Sequence, residues 1–206
     1  MTALIITESY FGNTAAIGDA IAQALADSGV LTVEAFGVAD APASLPAGAQ
    51  LLILAAPTHD YSLPCRRTRA QARRRAGHRD GDFGLREWIA AAQSAPDVKV
   101  VTVDTAFNSG FLPSSAAKTA ARLMSRAGFA DVQRGATFCV ADSTGPLDDG
   151  ELIRARAWAT SLAAGLRSLA GRRPAAGGRV DARYNRQRGP VNEAGAAAGA
   201  STDAAG

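Results

Sequence analysis

The chain has 206 residues, of which 47% are hydrophobic and 20% charged, a balance typical of one globular domain with a full apolar core. These proportions argue against an intrinsically disordered chain, and no uninterrupted apolar run approaches the ~18 residues that a membrane-spanning helix requires. The N-terminus has no basic segment before its apolar residues, so we expect a cytoplasmic protein without a membrane span.

The formal net charge of +3 is unevenly distributed along the chain. Seven arginines and no acidic residue lie between Arg66 and Arg79, and six more arginines follow from Arg172 onward. The remainder of the chain is therefore acidic, although the isoelectric point is near 9.2. Because the basic charge belongs to two segments rather than to the whole domain, the sequence does not favour nucleic acid as a partner.

The cysteines and histidines give no sign of a metal site. Cys65, Cys139, His59 and His78 form neither a C-x-x-C motif nor a tight cluster with metal-ligand spacing. We expect free thiols and no bound metal.

The first half of the chain alternates between apolar strands and an amphipathic helix. Ala3 to Thr7 is a short apolar run, and after the turn Gly12 to Thr14 apolar residues recur every three or four positions. The alternation in Val30 to Val38 is typical of an edge strand, and the apolar run Leu51 to Ala56 is typical of a strand buried on both faces. The pattern predicts strand, helix, strand, strand.

The second half continues the alternation. The predicted elements are a helix over Leu85 to Ala92, a strand over Val98 to Val103, a helix from Pro113 and Ser114 to Arg126, a strand over Gly135 to Val140 and a helix over Asp148 to Leu169. On the last helix we expect a buried stripe of Leu152, Ile153, Ala157, Trp158, Leu162 and Leu166. Alternating strands and helices predict a doubly wound α/β domain over residues 1–171, with helices on both faces of a parallel sheet.

Two segments depart from this pattern. Residues 63–83 combine many arginines with few large apolar residues, which predicts an irregular insertion. It would be either a solvated insertion or a cationic flap that docks an acidic redox partner or nucleic acid. Residues 172–206 are rich in Gly, Ala, Pro and Arg, which predicts a disordered, low-complexity tail.

The turn after the first strand carries the strongest functional signal. Thr7, Ser9 and Thr14 supply three hydroxyls, and Gly12 lets the backbone approach a ligand closely. Hydroxyl and N–H donors at the positive end of a helix dipole suit a single phosphate. The lysine of nucleoside triphosphatase loops and the three glycines of dinucleotide-binding loops are both missing. The alternative is that Ser9, Asn13 and Thr14 only cap the helix.

The turn Thr7-Glu8-Ser9-Tyr10-Phe11-Gly12-Asn13-Thr14 resembles the phosphate loop of the flavodoxin superfamily, T-x-[ST]-x-x-G-N-T. The segments Ala55 to His59 and Asp104 to Gly110 are similar to that family's loops after the third and fourth strands. The resemblance covers residues 1 to about 170 and implies a flavodoxin-like, five-stranded parallel sheet of order 2-1-3-4-5. Gly84 to Ile89 and Ser143 to Leu147 are similar, more narrowly, to small flavodoxin-domain proteins of high-GC bacteria.

The resemblance implies FMN as the cofactor, with its phosphate at the first loop and its isoalloxazine ring between the other two. The residues that it places against FMN are Thr7, Ser9, Tyr10, Phe11, Gly12, Asn13, Thr14, Pro57, Thr58, His59, Tyr61, Asp104, Thr105, Phe107, Asn108 and Gly110. The order 2-1-3-4-5 by itself also puts a ligand in the crevice between Ser9–Thr14 and Pro57–Ser62, where the strand order reverses.

Several of these residues have ordinary alternatives. Tyr61 and Phe107 would stack on the flavin or simply cover loops, and His59 would touch the redox edge of the ring or be inert. Asp104 and Asn108 would meet the ribityl chain or N3–H of the ring, or would only shape the loop.

The sequence predicts an FMN-binding, flavodoxin-like protein acting in electron transfer with a redox partner protein or a small-molecule oxidant. No arrangement of catalytic side chains is evident, so any catalysis would be that of the flavin. One alternative is an FMN-dependent quinone or protoporphyrinogen-type oxidoreductase. Another is a flavodoxin-fold binding protein that has lost flavin, which the pair Ala55-Ala56 in place of the usual glycine-containing pair would suggest.

Overall fold

The computed structural model describes residues 1–77, 82–107 and 115–172, which form five strands and five helices. The elements in chain order are β1 Thr2–Thr7, α1 Asn13–Asp27, β2 Thr32–Gly37, β3 Ala49–Pro57, α2 Arg66–Ala76, α3 Leu85–Ala91, β4 Lys99–Phe107, α4 Ala116–Arg126, β5 Asp131–Val140 and α5 Glu151–Arg172. None of the helices in these ranges is both long enough and apolar enough to cross a membrane.

The strands form one parallel sheet of order β2-β1-β3-β4-β5. This arrangement confirms the predicted doubly wound α/β fold and its strand order. Successive strand residues point to opposite faces of a sheet, and β1 follows this rule: Ile5 belongs to one core cluster, and Leu4 and Ile6 belong to the other.

Helices cover both faces of the sheet. On one face, buried residues of α1 and α5 pack with Ile5, Ile53 and Val103. On the other face, α3 and α4 contribute Trp88 and Met124, among others, to the second core. Because the central strands are covered on both sides, they are continuously apolar, as the sequence indicated for the third strand.

Helix α5 buries part of the predicted stripe together with a row of alanines that was not predicted. Leu152 is 44% exposed and Ile153 is 75% exposed, whereas Ala155, Ala159 and Ala163 are buried, at spacings of four residues. Alanines allow the helix to approach the sheet and α1 closely, so the small residues define the buried stripe. The prediction was wrong for Leu152, Ile153 and Ala157, which are exposed. The other three predicted residues are partly buried against the same core: Trp158, Leu162 and Leu166.

Residues 63–83 were predicted to be irregular, but they contain the regular helix α2. Arginine and alanine are strong helix formers, and the helix begins with a hydrogen bond from the Cys65 N–H to Thr68 Oγ1. Its C-cap, Gly77, has a φ of 75°, in the left-handed region that glycine favours. Residues 78–81 lie outside the described part of the chain.

Arg69 holds α2 in place. It is a guanidinium side chain that is fully buried, and it donates to Pro64 O at 3.1 Å, to Asp82 O at 2.7 Å and to Glu87 Oε1 at 2.7 Å. A buried charge is tolerated when it is paired and hydrogen-bonded in this way. The prediction failed here because it looked for large apolar residues and did not consider that an arginine could be the anchor. The domain boundary near residue 171 and the tail remain predictions, since residues 173–206 lie outside the described ranges.

We predict that Arg69→Met destabilises the protein by about 2 kcal/mol or more, because hydrogen bonds from a charged donor are lost and buried carbonyls lose their partner. The matched control is Arg74→Met on the same helix. Arg74 is exposed, so its replacement should change the free energy of unfolding by less than about 0.5 kcal/mol. Urea unfolding followed by circular dichroism measures both, and equal effects would contradict the anchoring role of Arg69.

We also predict that Ala159→Leu destabilises the protein by about 2 kcal/mol, since added methylenes overpack the contact of α5 with α1 and the sheet. Ile153→Ala on the same helix removes an exposed side chain and should cost less than about 0.5 kcal/mol. Chemical denaturation of the two variants compares the observed stripe with the predicted one; a larger loss for Ile153→Ala would restore the original prediction.

Candidate functional site

An open cleft of about 220 Å³ lies at the carboxyl ends of β1, β3 and β4. These strand ends are the point at which the strand order reverses, where open α/β sheets bind ligands. Ten of the predicted site residues line it: Ser9, Tyr10, Phe11, Asn13, Thr14, Pro57, Thr58, His59, Thr105 and Phe107. The cleft also has walls that the sequence did not indicate, from α2 and from Ser143.

Other predicted site residues lie elsewhere. Thr7 lines a separate cavity, and its Oγ1 lies against Gly18 of α1, where a Cβ would come within 2.6 Å of it. Tyr61 is 55% exposed and does not line the cleft. Gly12 is the N-cap of α1, next to the lining residues. Asn108 and Gly110 lie outside the described residues.

Asp104 and Thr105 belong to β4 rather than to the loop after it, because β4 continues to Phe107. Asp104 is buried, and its Oδ2 accepts hydrogen bonds from Ala117 N at 2.8 Å and from Thr58 Oγ1 at 3.2 Å. A carboxylate at the first turn of α4 is stabilised by the helix dipole. Through its Oδ2, Asp104 therefore joins α4 to the segment after β3, while its Oδ1 is buried and has no hydrogen-bond partner.

The loop from β1 to α1 is shaped by its backbone and not by a capping side chain. Gly12 has a φ of 85°, and no side chain caps α1. Asn13 Nδ2 donates to Thr144 O at 3.1 Å, and Thr14 Oγ1 lies 2.7 Å from Thr105 Oγ1. Since Ser9, Asn13 and Thr14 do not cap the helix, the capping alternative is wrong for all three. Instead, Asn13 ties the loop to the segment after β5, and Thr14 ties it to the end of β4.

Ser9 is the member of the loop with an unmet hydrogen-bonding need. Its Oγ is buried and has no hydrogen-bond partner, and the residue lines the cleft. A buried hydroxyl without a partner costs about 1–3 kcal/mol, so such groups require an explanation. An acceptor oxygen in the cleft, next to the N-terminus of α1, would satisfy it. A phosphate supplies such an oxygen, and the residues present therefore fit a phosphate-bearing ligand.

His59 lies in a tight turn beside Tyr10. The rings of His59 and Tyr10 have centroids 5.5 Å apart, and the next two residues, Asp60 and Tyr61, have φ values of 47° and 58°. This left-handed backbone is uncommon for residues other than glycine. Burial lowers the pKa of His59, with Asp60 acting in the opposite direction. At neutral pH the cleft is therefore lined by a neutral imidazole.

Sequence reasoning missed Glu8, because a charged residue in a loop is expected to be solvated. Glu8 is only 2% exposed; its Oε2 accepts from Leu85 N at 2.8 Å, and its Oε1 accepts from the Tyr10 hydroxyl. The signal available was its position between the buried strand β1 and the hydroxyl-rich turn. Glu8 joins the loop after β1 to the start of α3.

The pKa of Glu8 is raised above the ordinary value of 4.5, chiefly because burial disfavours the carboxylate. The repulsion of Glu87 acts in the same direction, while the hydrogen bonds from Tyr10 and Leu85 and the charge of Arg69 oppose it. Burial of Tyr10 itself, together with the charge of Glu8, raises the pKa of Tyr10. Tyr10 therefore stays a protonated donor to Glu8.

No protein-family model matches this chain, and no curated protein does. Among solved structures, a flavodoxin from the domain Archaea covers 81% of this chain and 99% of its own, with 14% identity and a TM-score of 0.55. The flavodoxin of Streptococcus pneumonia TIGR4 has 19% identity and a TM-score of 0.53, over 80% of this chain and 99% of its own. Oxidised Flavodoxin 1 from Bacillus cereus has 18% identity and a TM-score of 0.53, over 77% of this chain and 95% of its own.

The strand order and these similarities define a flavodoxin-like α/β fold. At sequence identities of 14–19%, the similarity to these structures establishes only the fold. The residues of the cleft must therefore carry any statement about function.

We predict that the stability of the protein depends on the ionisation of Glu8. Because its folded-state pKa is raised, the folded protein binds the Glu8 proton more tightly, so this contribution is present at low pH and is lost as the pH rises through the raised pKa. Glu8→Gln removes the titration and keeps groups that can bond Tyr10 and Leu85. The free energy of unfolding of Glu8→Gln minus that of the wild type should therefore increase as the pH rises above the ordinary value of 4.5.

Tyr10→Phe should change the pH dependence of stability in the direction opposite to Glu8→Gln. It removes a hydrogen bond that favours ionised Glu8, so the stability of this variant should fall more steeply with pH than that of the wild type. Denaturant titrations at a series of pH values measure the slopes. Parallel pH curves for the wild type and both variants would contradict the role of Glu8.

Proposed function

We propose that the protein binds FMN in the cleft and acts in electron transfer. The observation that carries the proposal is the buried, unpartnered Oγ of Ser9 beside the N-terminus of α1. It is supported by the loop sequence, by the position of the cleft at the reversal of strand order, and by the similarity of the fold to three flavodoxins.

The residues of the β1–α1 loop are suited to the phosphate of FMN. Ser9 would donate through its unpartnered hydroxyl, and the first N–H groups of α1 would donate along the helix dipole. Asn13 and Thr14 already hold this loop against the segment after β5 and the end of β4. A loop fixed in this way would lose little conformational freedom on binding.

The two segments that flank the cleft are suited to the ring. Thr58 N donates to Thr105 O at 2.8 Å, so the residue after β3 and the end of β4 are held side by side. Pro57 and His59 supply one wall and Phe107 supplies another. FMN, when bound, supplies the capacity to accept and release electrons, and these residues would orient it and exclude water.

Electrons would be exchanged with a redox partner protein or a small-molecule oxidant. Phe107 is a lining residue that is also 51% exposed. An exposed aromatic side chain at the rim of the cofactor cleft provides an apolar contact for a partner. This observation supports an electron carrier.

A second cavity supports the alternative of an FMN-dependent quinone or protoporphyrinogen-type oxidoreductase. It has a volume of about 560 Å³ and shares Ser9 and Tyr10 with the cleft. Phe36 and Phe83 also line it and give it apolar walls suited to an aromatic substrate. Turnover of a quinone by the FMN-loaded protein would favour this alternative, and its absence would favour the carrier.

We predict that the wild-type protein retains FMN after incubation and desalting, with absorption bands near ~375 and ~450 nm. Ser9→Ala should weaken FMN binding about tenfold or more, because a hydrogen bond to a charged acceptor is lost. The matched control is Ser161→Ala, an exposed serine of α5 whose Oγ donates to Ala157 O. Titration of FMN fluorescence measures all three affinities.

The control should bind FMN as the wild type does. Equal affinity in Ser9→Ala and the wild type would remove Ser9 from the phosphate site. A wild-type protein that shows no flavin bands before or after incubation would overturn the FMN proposal and favour a flavodoxin-fold binding protein that has lost flavin.

A further inference from the structure

The proposed phosphate site has no basic residue of its own. Thr7 to Thr14 contains no arginine, lysine or histidine. A phosphate monoester carries a charge of about −1.5 to −2 at neutral pH, and a helix dipole offers about half of one positive charge. The charge balance of the site therefore depends on residues outside the loop.

Helix α2 places one of its faces against the cleft. The lining residues of this helix are Thr68, Gln71, Ala72 and Arg75. They occupy positions i, i+3, i+4 and i+7, which form a single stripe on an α-helix. The stripe brings exactly one arginine to the cleft wall, at its C-terminal end.

Two hydrogen bonds, through the neighbouring residues Ser143 and Thr144, connect Arg75 with the N-terminus of α1. Its Nη2 is 3.3 Å from Ser143 Oγ, and the neighbouring Thr144 carbonyl accepts a hydrogen bond from Asn13 Nδ2 at 3.1 Å. Asn13 is the first residue of α1. The guanidinium is thus on the side of the cleft where the phosphate loop lies.

Arg75 differs from four of the other five arginines of α2 in its partners, and it differs from the fifth, Arg74, in lining the cleft. Arg66 and Arg73 pair with Asp82, Arg67 pairs with Asp60, and Arg69 pairs with Glu87. Within residues 1–77, 82–107 and 115–172, no carboxylate forms an ion pair with Arg75. Its charge is therefore not offset by an acidic neighbour in these ranges, and a guanidinium has five N–H donors to offer.

We propose that Arg75 is a ligand-binding residue that pairs with the phosphate of the flavin and makes the cleft selective for FMN over riboflavin. The inference rests on the proposed function and adds a specificity determinant to it. Arginine suits this role because its planar fork can donate two hydrogen bonds to one phosphate. Buried Arg69 fixes the helix that carries it, so the backbone of Arg75 is held beside the cleft before the ligand arrives.

The test measures FMN and riboflavin affinity for the full-length wild type, Arg75→Gln, Arg75→Lys and Arg74→Gln by fluorescence titration at low and high salt. Arg74 is the matched control, because it is the adjacent exposed arginine and does not line the cleft. We expect Arg75→Gln to weaken FMN about tenfold or more and riboflavin less than about twofold. Arg74→Gln should change both affinities less than about twofold, and Arg75→Lys should retain part of the FMN preference.

Salt gives a second readout. The FMN affinity of the wild type should fall more steeply with ionic strength than that of Arg75→Gln, since the variant lacks one screened charge pair. Equal losses of FMN and riboflavin in Arg75→Gln would assign Arg75 to packing and overturn the proposal. So would an Arg74→Gln variant as weak for FMN as Arg75→Gln, which would indicate a general positive field.

The two proposals fail in different ways. A wild-type protein that binds FMN and riboflavin equally would overturn the role of Arg75 and leave flavin binding intact. A wild-type protein that binds neither would overturn both.

Discussion

Strand β1 lies between β2 and β3 in the sheet, and the whole site depends on this placement. The chain leaves β1 for α1 on one face, and it leaves β3 toward α3 on the other. Two connections that diverge from neighbouring strands open a crevice between them. Three segments line this crevice because the strand order brings them together: the β1–α1 loop, the segment after β3 and the end of β4. The hydroxyls and the helix dipole then decide what the crevice attracts.

Helix α2 changes this crevice from an open groove into a cleft with an additional wall. No residue of α2 belongs to either core cluster, so the helix is not held by apolar packing against the sheet. It is held by the hydrogen bonds of Arg69 to the segments on either side of it. The directional hydrogen bonds of the buried guanidinium take the place of a hydrophobic contact. They fix the position of the helix backbone, which carries the other arginines of α2.

The fold could be predicted because apolar runs and helical spacing are local signals. The predicted strands from Ala3 and from Leu51 are both present, and so is the strand order. Errors arose where a different force dominates. The polar start of β5, from Asp131, has no apolar run to reveal it, and the most deeply buried positions of α5 are alanines. Periodicity of large side chains indicates neither feature.

The site was predictable in its loops and less so in its details. The positions Ser9 to Thr14 and Pro57 to His59 are readable from the sequence because motif and topology agree. The roles of Glu8, Asp104 and Arg69 depend on burial and on partners far along the chain. Such pairings have no short-range signal, so only the three-dimensional arrangement reveals them.

The buried positions of α2 are Thr68, Arg69 and Ala72. The other eight of its eleven residues are free of core packing, and surface positions of this kind tolerate substitution with little change in stability. The exposed half of the cleft wall, Gln71 and Arg75, is among these positions. A protein engineer can therefore replace those two residues, and change the chemistry that the wall favours, while the sheet and its two cores stay the same.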